Sequence, residues 1–255
     1  MKVLFTLLFF FLTIYPLAAQ ERITDENEAR TIFEELDNRR NSIESEQSDL
    51  SMVITDSRGR TRSRTLRSWA RNSGDDTMSL IIFAEPGNIR GTGFLSVNES
   101  GNRIQRLYLP SVGRVQLIGS AERSDRFMGS DFTYEDLGDQ DPDDFEFEWL
   151  EIGDIHYTIR ATKPDSDQYT SLEFDIIRET FALETVRYYN DAGEEIKRLE
   201  AEDFEQLTDL LWNPRKMTMY DHKENRKTEL SWKNREINIE IEEWRFTERG
   251  LRRGI

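Results

Sequence analysis

Cysteine is missing from the whole 255-residue chain, which excludes disulfide bonds and excludes a thiol for attaching a lipid. Histidine is nearly missing. His156 and His222 are the only two, and neither has a second ligand at useful spacing. No nucleophile with a base and no tuned pair of acids stands out, so neither a metal centre nor a catalytic signature is expected. Gly91-Thr92-Gly93 lacks the third glycine of a dinucleotide fingerprint and no helix pattern follows it, so no cofactor is expected either. No repeat of about twenty to fifty residues is visible, and no linker rich in Pro, Gly or Ser divides the chain, so residues 20–255 are expected to form one domain.

Long apolar runs are absent except at the start. Lys2 is followed by an apolar run from Val3 through Tyr15, then by Pro16 and the small pair Ala18-Ala19. That order is the pattern of a secretory signal peptide over residues 1–19, cleaved after Ala19; the run is short for a membrane span and its far flank turns acidic. The expected product is a soluble, exported, periplasmic protein that is not itself a lipoprotein.

Charge is unevenly placed. The net charge is −16, yet residues 20–126 carry 16 arginines and no lysine against 17 acids, whereas residues 127–255 carry 17 bases against 33 acids. Nucleic acid is not an expected partner for so acidic a chain. The acids at Asp139, Asp141 and Asp143 mimic the opening of a calcium loop, but Asp144 and Leu150 stand where glycine and glutamate are needed, so no metal is assigned there.

Along the chain, Thr24 or Asp25 can cap a helix whose apolar stripe is Ala29, Ile32, Phe33 and Leu36. Such a face packs into a core or lines a ligand cavity. From Asp49 the period changes to two, and short turn signals separate a succession of strands as far as Ile118, the sign of an antiparallel meander. One of these strands is odd: Arg60, Arg62 and Arg64 share one face, and Arg67, Trp69 and Arg71 share the other. A solvated sheet face is one account of it, and a site for phosphate groups or an acidic partner is another. Strand-like stretches resume at Phe145 and continue to Glu242, the last spanning Glu236 to Glu242; Phe204, Leu207, Leu210 and Leu211 fit a short helix or a strand equally well. The tail is expected to be anchored by Trp244, Phe246 and Leu251. One large, curved antiparallel sheet with one or two helices fits these signals.

Between the two series of strands lies Phe127-Met128-Gly129-Ser130-Asp131-Phe132-Thr133-Tyr134-Glu135-Asp136-Leu137, which has neither helix nor strand period. By itself it is a connection with aromatic anchors, suited to crossing the mouth of a fold. Taken with Pro86 and Arg90-Gly91-Thr92-Gly93-Phe94-Leu95, then Tyr108-Leu109-Pro110 with Arg114-Val115, and with Trp212, Pro214, Met217, Met219, Lys227-Thr228 and Phe246-Thr247, it resembles the exported outer-membrane lipoprotein-sorting proteins of the LolA-like superfamily. The resemblance covers Asp49 to Gly250. It implies a mainly β (α+β) fold, an incomplete antiparallel β-barrel with helices covering the open side, around an apolar cavity that receives acyl chains.

A carrier of this kind has a simple physical task. At about 0.8 kcal/mol per buried methylene, a chain of about sixteen carbons gains on the order of ten kcal/mol by leaving water. Lipoprotein acyl chains or another lipid are thus the expected cargo, and an envelope transporter or membrane receptor is the expected partner that drives release. Phe83, Phe94, Leu95, Leu107, Leu109, Phe127, Met128, Phe132 and Tyr134, the apolar residues nearest the family motif, are the candidates for cavity or rim. The alternative is a non-enzymatic accessory protein that docks on an envelope lipid transporter through Arg60, Arg62 and Arg64 or through the acidic segment; a lipid-processing enzyme on the same scaffold is a third reading.

Overall fold

The computed structural model describes residues 26–74, 76–138, 142–163 and 169–255. The expected signal peptide, the capping residues Thr24 and Asp25, the acids Asp139 and Asp141, and the turn at Pro164-Asp165 lie outside the described residues.

Helix α1 spans Glu26–Arg40. Ala29, Phe33 and Leu36 are buried along one side with Ile32 packed beside them, as the 3.6-residue spacing predicts. Glu34 and Glu35 pair four residues along the helix with Arg30 and Arg39, at 2.7 and 2.6 Å, on the wetter side.

Among the described residues thirteen strands follow: β1 Ser45–Thr55, β2 Thr61–Ser73, β3 Asp76–Glu85, β4 Gly93–Glu99, β5 Asn102–Leu109, β6 Arg114–Ile118, β7 Glu146–Ile152, β8 His156–Thr162, β9 Ser171–Ile177, β10 Leu183–Tyr189, β11 Glu195–Gln206, β12 Trp212–Asp221 and β13 Arg226–Ile237. They form one antiparallel sheet in the order β6-β5-β4-β3-β2-β1-β13-β12-β11-β10-β9-β8-β7. Every neighbour is a hairpin partner except β1 and β13, which join the two halves of the chain at the centre of the sheet. The undecided stretch around Phe204 belongs to β11 and the turn into β12. The expected strand from Glu236 to Glu242 is corrected: β13 runs only to Ile237, and Asn238 turns the chain away with a φ of 53°.

Strands β6 and β7 are successive in sequence yet occupy opposite edges, so residues 119–145 have to cross the sheet. With strands about 4.8 Å apart, a flat sheet of this width would hold its edges roughly 58 Å apart. Arg103 on β5 nevertheless reaches Asp144, just before β7, at 2.5 Å. The sheet is therefore strongly curled, and it stays unclosed because β6 and β7 share no ladder. Bulges help it bend: Asn234, with φ 51°, is an extra residue opposite the step from Gln47 to Asp49, and it donates to Asp49 Oδ2 at 2.9 Å.

The two faces of the sheet carry separate cores. The inner face, with α1 and the crossing segment, holds the larger one, whereas Trp69, Leu80, Ile82, Leu95 and Val97 meet Phe246 and Leu251 of the tail on the outer face. Helix α2, Glu248–Arg253, thus roofs the outer face and does not cover the open side, as the resemblance had implied for the helices. A Cβ at Gly93 would lie 2.7 Å from both Ile82 Cδ1 and Leu251 Cδ1, which is why the β4 glycine permits this close approach. Trp244, expected as an anchor, is half-buried and joins neither core; its ring lies among the guanidinium groups of Arg245, Arg249 and Arg253, at 5.0, 5.8 and 4.8 Å.

Candidate functional site

The crossing segment is bolted to strands from both halves. Phe127 inserts between Phe83 of β3, Phe94 of β4 and Tyr134, with ring centroids at 5.7, 5.3 and 5.7 Å. Met128 (φ 50°) and Gly129 (φ 76°) then turn the chain so that Ser130 N–H donates back to the Phe127 carbonyl at 2.9 Å. The Asp131 carboxylate is fully enclosed. It accepts from Thr228 Oγ1 of β13 at 2.6 Å and pairs with Arg126 and Arg226 at 2.6 and 3.1 Å. Gln105 Nε2 on β5 donates to the Tyr134 carbonyl at 2.9 Å, and the Lys197 ammonium on β11 meets Asp136 at 2.6 Å.

Beside this bolt the inner face leaves a cavity of about 310 Å³. Phe33 and Leu36 of α1 form one wall, and Phe132, Asp136 and Leu137 of the crossing segment form another. The rest comes from alternate residues of five successive strands: Leu172 and Phe174 of β9, Val186 and Tyr188 of β10, Leu199 of β11, Met217 and Met219 of β12, and Leu230 and Trp232 of β13. A strand buries every second residue on one face, so each pair two apart adds one row to the wall. The mouth is marked by the exposed Arg40 and the half-buried Trp212, Asn213 and Trp232. There Arg235 pairs with Glu46 at 3.1 Å and Glu205 at 2.6 Å.

Four polar groups stand at the inner end: Asp136, Lys197, Tyr169 and Tyr188. The Tyr169 hydroxyl donates to Asp136 Oδ1 at 3.5 Å, a long contact, and the Tyr169 and Tyr188 rings meet edge to face at 5.0 Å. Burial, reinforced by the negative Asp136 and Glu135, pushes both phenols well above their ordinary range. In the unfolded chain they ionise near pH 10. The stability they carry is therefore fully present below that pH and is lost as pH rises toward their folded values, by up to about 1.4 kcal/mol per pH unit for each phenol. The midpoint of urea unfolding should fall between pH 9 and pH 11, and it should fall less in a Tyr169→Phe, Tyr188→Phe variant; an equal fall in both proteins would refute the assignment.

Of the residues expected at the cavity, Phe132 lines it. Phe83, Phe94, Phe127 and Tyr134 form the packed aromatic block behind it, Leu107 is buried in the same core, and Leu109 and Met128 pack half-buried against that core. Leu95 lies on the outer face. The cavity walls on β9 to β13 were not among the candidates, although the alternation at 172/174, 186/188 and 217/219 is the signal that marks them. Arg62 and Arg64 take inner-face positions of β2, and Arg60 precedes the strand; Arg60 is exposed and pairs with Asp56 at 2.7 Å, and Arg62 is exposed. Arg64 is half-buried over the Phe83 ring at 5.6 Å, and burial together with Arg62 holds its guanidinium below the ordinary value.

His156 lies 2.7 Å from Glu184 and His222 lies 3.0 Å from Glu195. Among the described residues no three His, Cys, Asp or Glu side chains gather as a metal site, and no helix is long and apolar enough to cross a membrane.

An unclosed antiparallel sheet curled around a crossing segment, with an apolar cavity against its inner face, is the LolA-like fold. A domain classed as an outer membrane lipoprotein-sorting protein from Vibrio parahaemolyticus matches with a TM-score of 0.83 and 25% identity, over 89% of this chain and 100% of that one. A DUF1329 family protein from Desulfovibrio piger matches at 0.80 and 20%, over 88% and 98%. A LolA superfamily protein from Nitrosomonas europaea matches at 0.67 and 18%, over 86% and 97%. A search of curated proteins finds no match. A family model described as that of an uncharacterized protein matches residues 75–253, and the chain belongs to that family.

Proposed function

We propose that this chain is an exported periplasmic carrier. After removal of residues 1–19, residues 20–255 act as a single domain that takes acyl chains of lipoproteins, or other lipids, into the inner cavity and moves them toward the outer membrane. The observation that supports this most directly is the cavity itself: about 310 Å³, walled by apolar side chains of α1, the crossing segment and five strands, within the size range of small-molecule sites. The printed description of the Vibrio relative as lipoprotein-sorting agrees with it. In this reading Phe132 contacts cargo, Phe83, Phe94, Leu107, Phe127 and Tyr134 hold the wall behind it, Leu109 and Met128 flank that wall, and Leu95 supports the outer face. No residue is assigned a catalytic role. Because so much apolar surface leaves water on loading, release is driven by a membrane or a receptor.

The test is occupancy. Lipid extracted from the purified protein is identified by mass spectrometry, and a fluorescent fatty acyl probe is titrated into the delipidated protein. Replacing Leu199 and Met217 together by tryptophan fills the cavity and should weaken probe binding at least tenfold while the circular dichroism spectrum stays that of a folded sheet. Absence of both co-purified lipid and probe uptake in the wild type would sink the carrier reading. The docking reading would then take its place, favoured by one observation: Arg64 is half-buried, and no carboxylate lies among the groups that perturb it.

A further inference from the structure

Tyr188 is only 6% exposed and lines the cavity, yet its hydroxyl has no hydrogen-bond partner among the described residues. The acids beside it are engaged. Asp136 binds Lys197 at 2.6 Å and accepts from Thr133 N–H at 2.7 Å, and Glu135 binds Lys163 at 2.6 Å. The hydroxyl is not among the enclosed polar atoms left without a partner, so it is open to the cavity it lines, where a water or a ligand completes the bond. The ring is also fixed in place, with the Tyr169 edge at 5.0 Å and the Lys197 ammonium 4.9 Å over its face. A held donor group in the wall of an apolar cavity is a preorganised contact.

We propose that the Tyr188 hydroxyl donates a hydrogen bond to a neutral polar group of the cargo, an ester or amide carbonyl or an alcohol, drawn into the inner end of the cavity. This rests on the carrier reading and adds the cargo's chemical class to it. Neutrality follows from the surrounding charges. The phenol is held in its protonated, donating form by burial and by the Asp136 and Glu135 carboxylates. The nearby ammonium of Lys197 is occupied by Asp136, so a fatty carboxylate would have to displace an existing ion pair to find a cation. An ester or alcohol needs no such exchange.

Displacement of the apolar fluorophore diphenylhexatriene from delipidated protein tests this, with methyl oleate, oleyl alcohol, oleate and 1-octadecene as competitors. In the wild type, methyl oleate and oleyl alcohol should displace it about tenfold more effectively than 1-octadecene, and oleate less effectively than methyl oleate. Tyr188→Phe should bring the ester-to-hydrocarbon ratio close to one. Independently of any variant, the infrared carbonyl stretch of bound methyl oleate should move to lower wavenumber than in hexane. Equal displacement by ester and hydrocarbon, a preference that survives in Tyr188→Phe, or an unshifted carbonyl would overturn the proposal while leaving the carrier reading intact, since each means that the cargo does not take a hydrogen bond from Tyr188. Failure of diphenylhexatriene to bind the wild type would remove both.

Discussion

Replacing Asp131 by alanine should destabilise the protein by about 3–5 kcal/mol, lowering Tm by about 10 °C. The size of the effect comes from what is left behind. The Asp131 carboxylate is wholly enclosed and is shared by Arg126 at 2.6 Å and Arg226 at 3.1 Å. Thr228 Oγ1 donates to it at 2.6 Å while accepting the Asp131 N–H at 2.9 Å, so side chain and backbone are locked to β13 together. Removing the carboxylate costs both guanidinium groups their enclosed partner, although Arg126 keeps Asp221 at 2.5 Å. Breaking one member of such a pair is far worse than never having had it. Thermal unfolding followed by circular dichroism measures the loss, and a change below about 1 kcal/mol would place Asp131 among ordinary surface acids.

Phe127→Ala should cost about as much, 3–5 kcal/mol by the usual range for deleting a buried aromatic ring. Phe127 is 1% exposed and touches three rings contributed by β3, β4 and the crossing segment itself. Phe83 and Phe94 are held by the sheet and cannot close over the void, which puts the cost toward the upper end of the range. Because Phe83 and Phe94 share that void, a double-mutant cycle of Phe127→Ala with Phe94→Ala should be non-additive by at least about 0.5 kcal/mol. Urea unfolding of the four proteins measures it; strict additivity would mean that the rings do not act as one block.

Both predictions concern a segment whose residues were informative before its topology was. The aromatics of 127–134 were expected to face inward, and Phe127, Phe132 and Tyr134 are all buried. The strands were legible because Asp56-Ser57-Arg58-Gly59, Asn98 to Asn102 and Asn190 to Gly193 announce turns through local chemistry. The pairing of β1 with β13 was not legible, since no local signal records which distant strand completes a sheet. The cavity was hidden for a related reason. Alternation at Leu172 and Phe174 or at Met217 and Met219 says that these side chains point inward, but whether the space between them is filled depends on five strands and a helix at once. Tyr188 carried no sequence signal at all, because a tyrosine with a satisfied hydroxyl and one without are the same letter.

The central place of the β1 and β13 ladder also sets an order of events. Successive hairpins from β1 to β6 bring together residues close in sequence, and such contacts form early and quickly. Leu50 opposite Trp232 and Met52 opposite Leu230 can form only after nearly the whole chain is available, so the ladder that unites the two halves comes last. Until then each half is a strip of sheet with a bare edge at β1 or β13, which is the condition in which chains aggregate. A protein threaded end first through a membrane would emerge with its first strand waiting for its last, so its folding would be timed by the completion of transit.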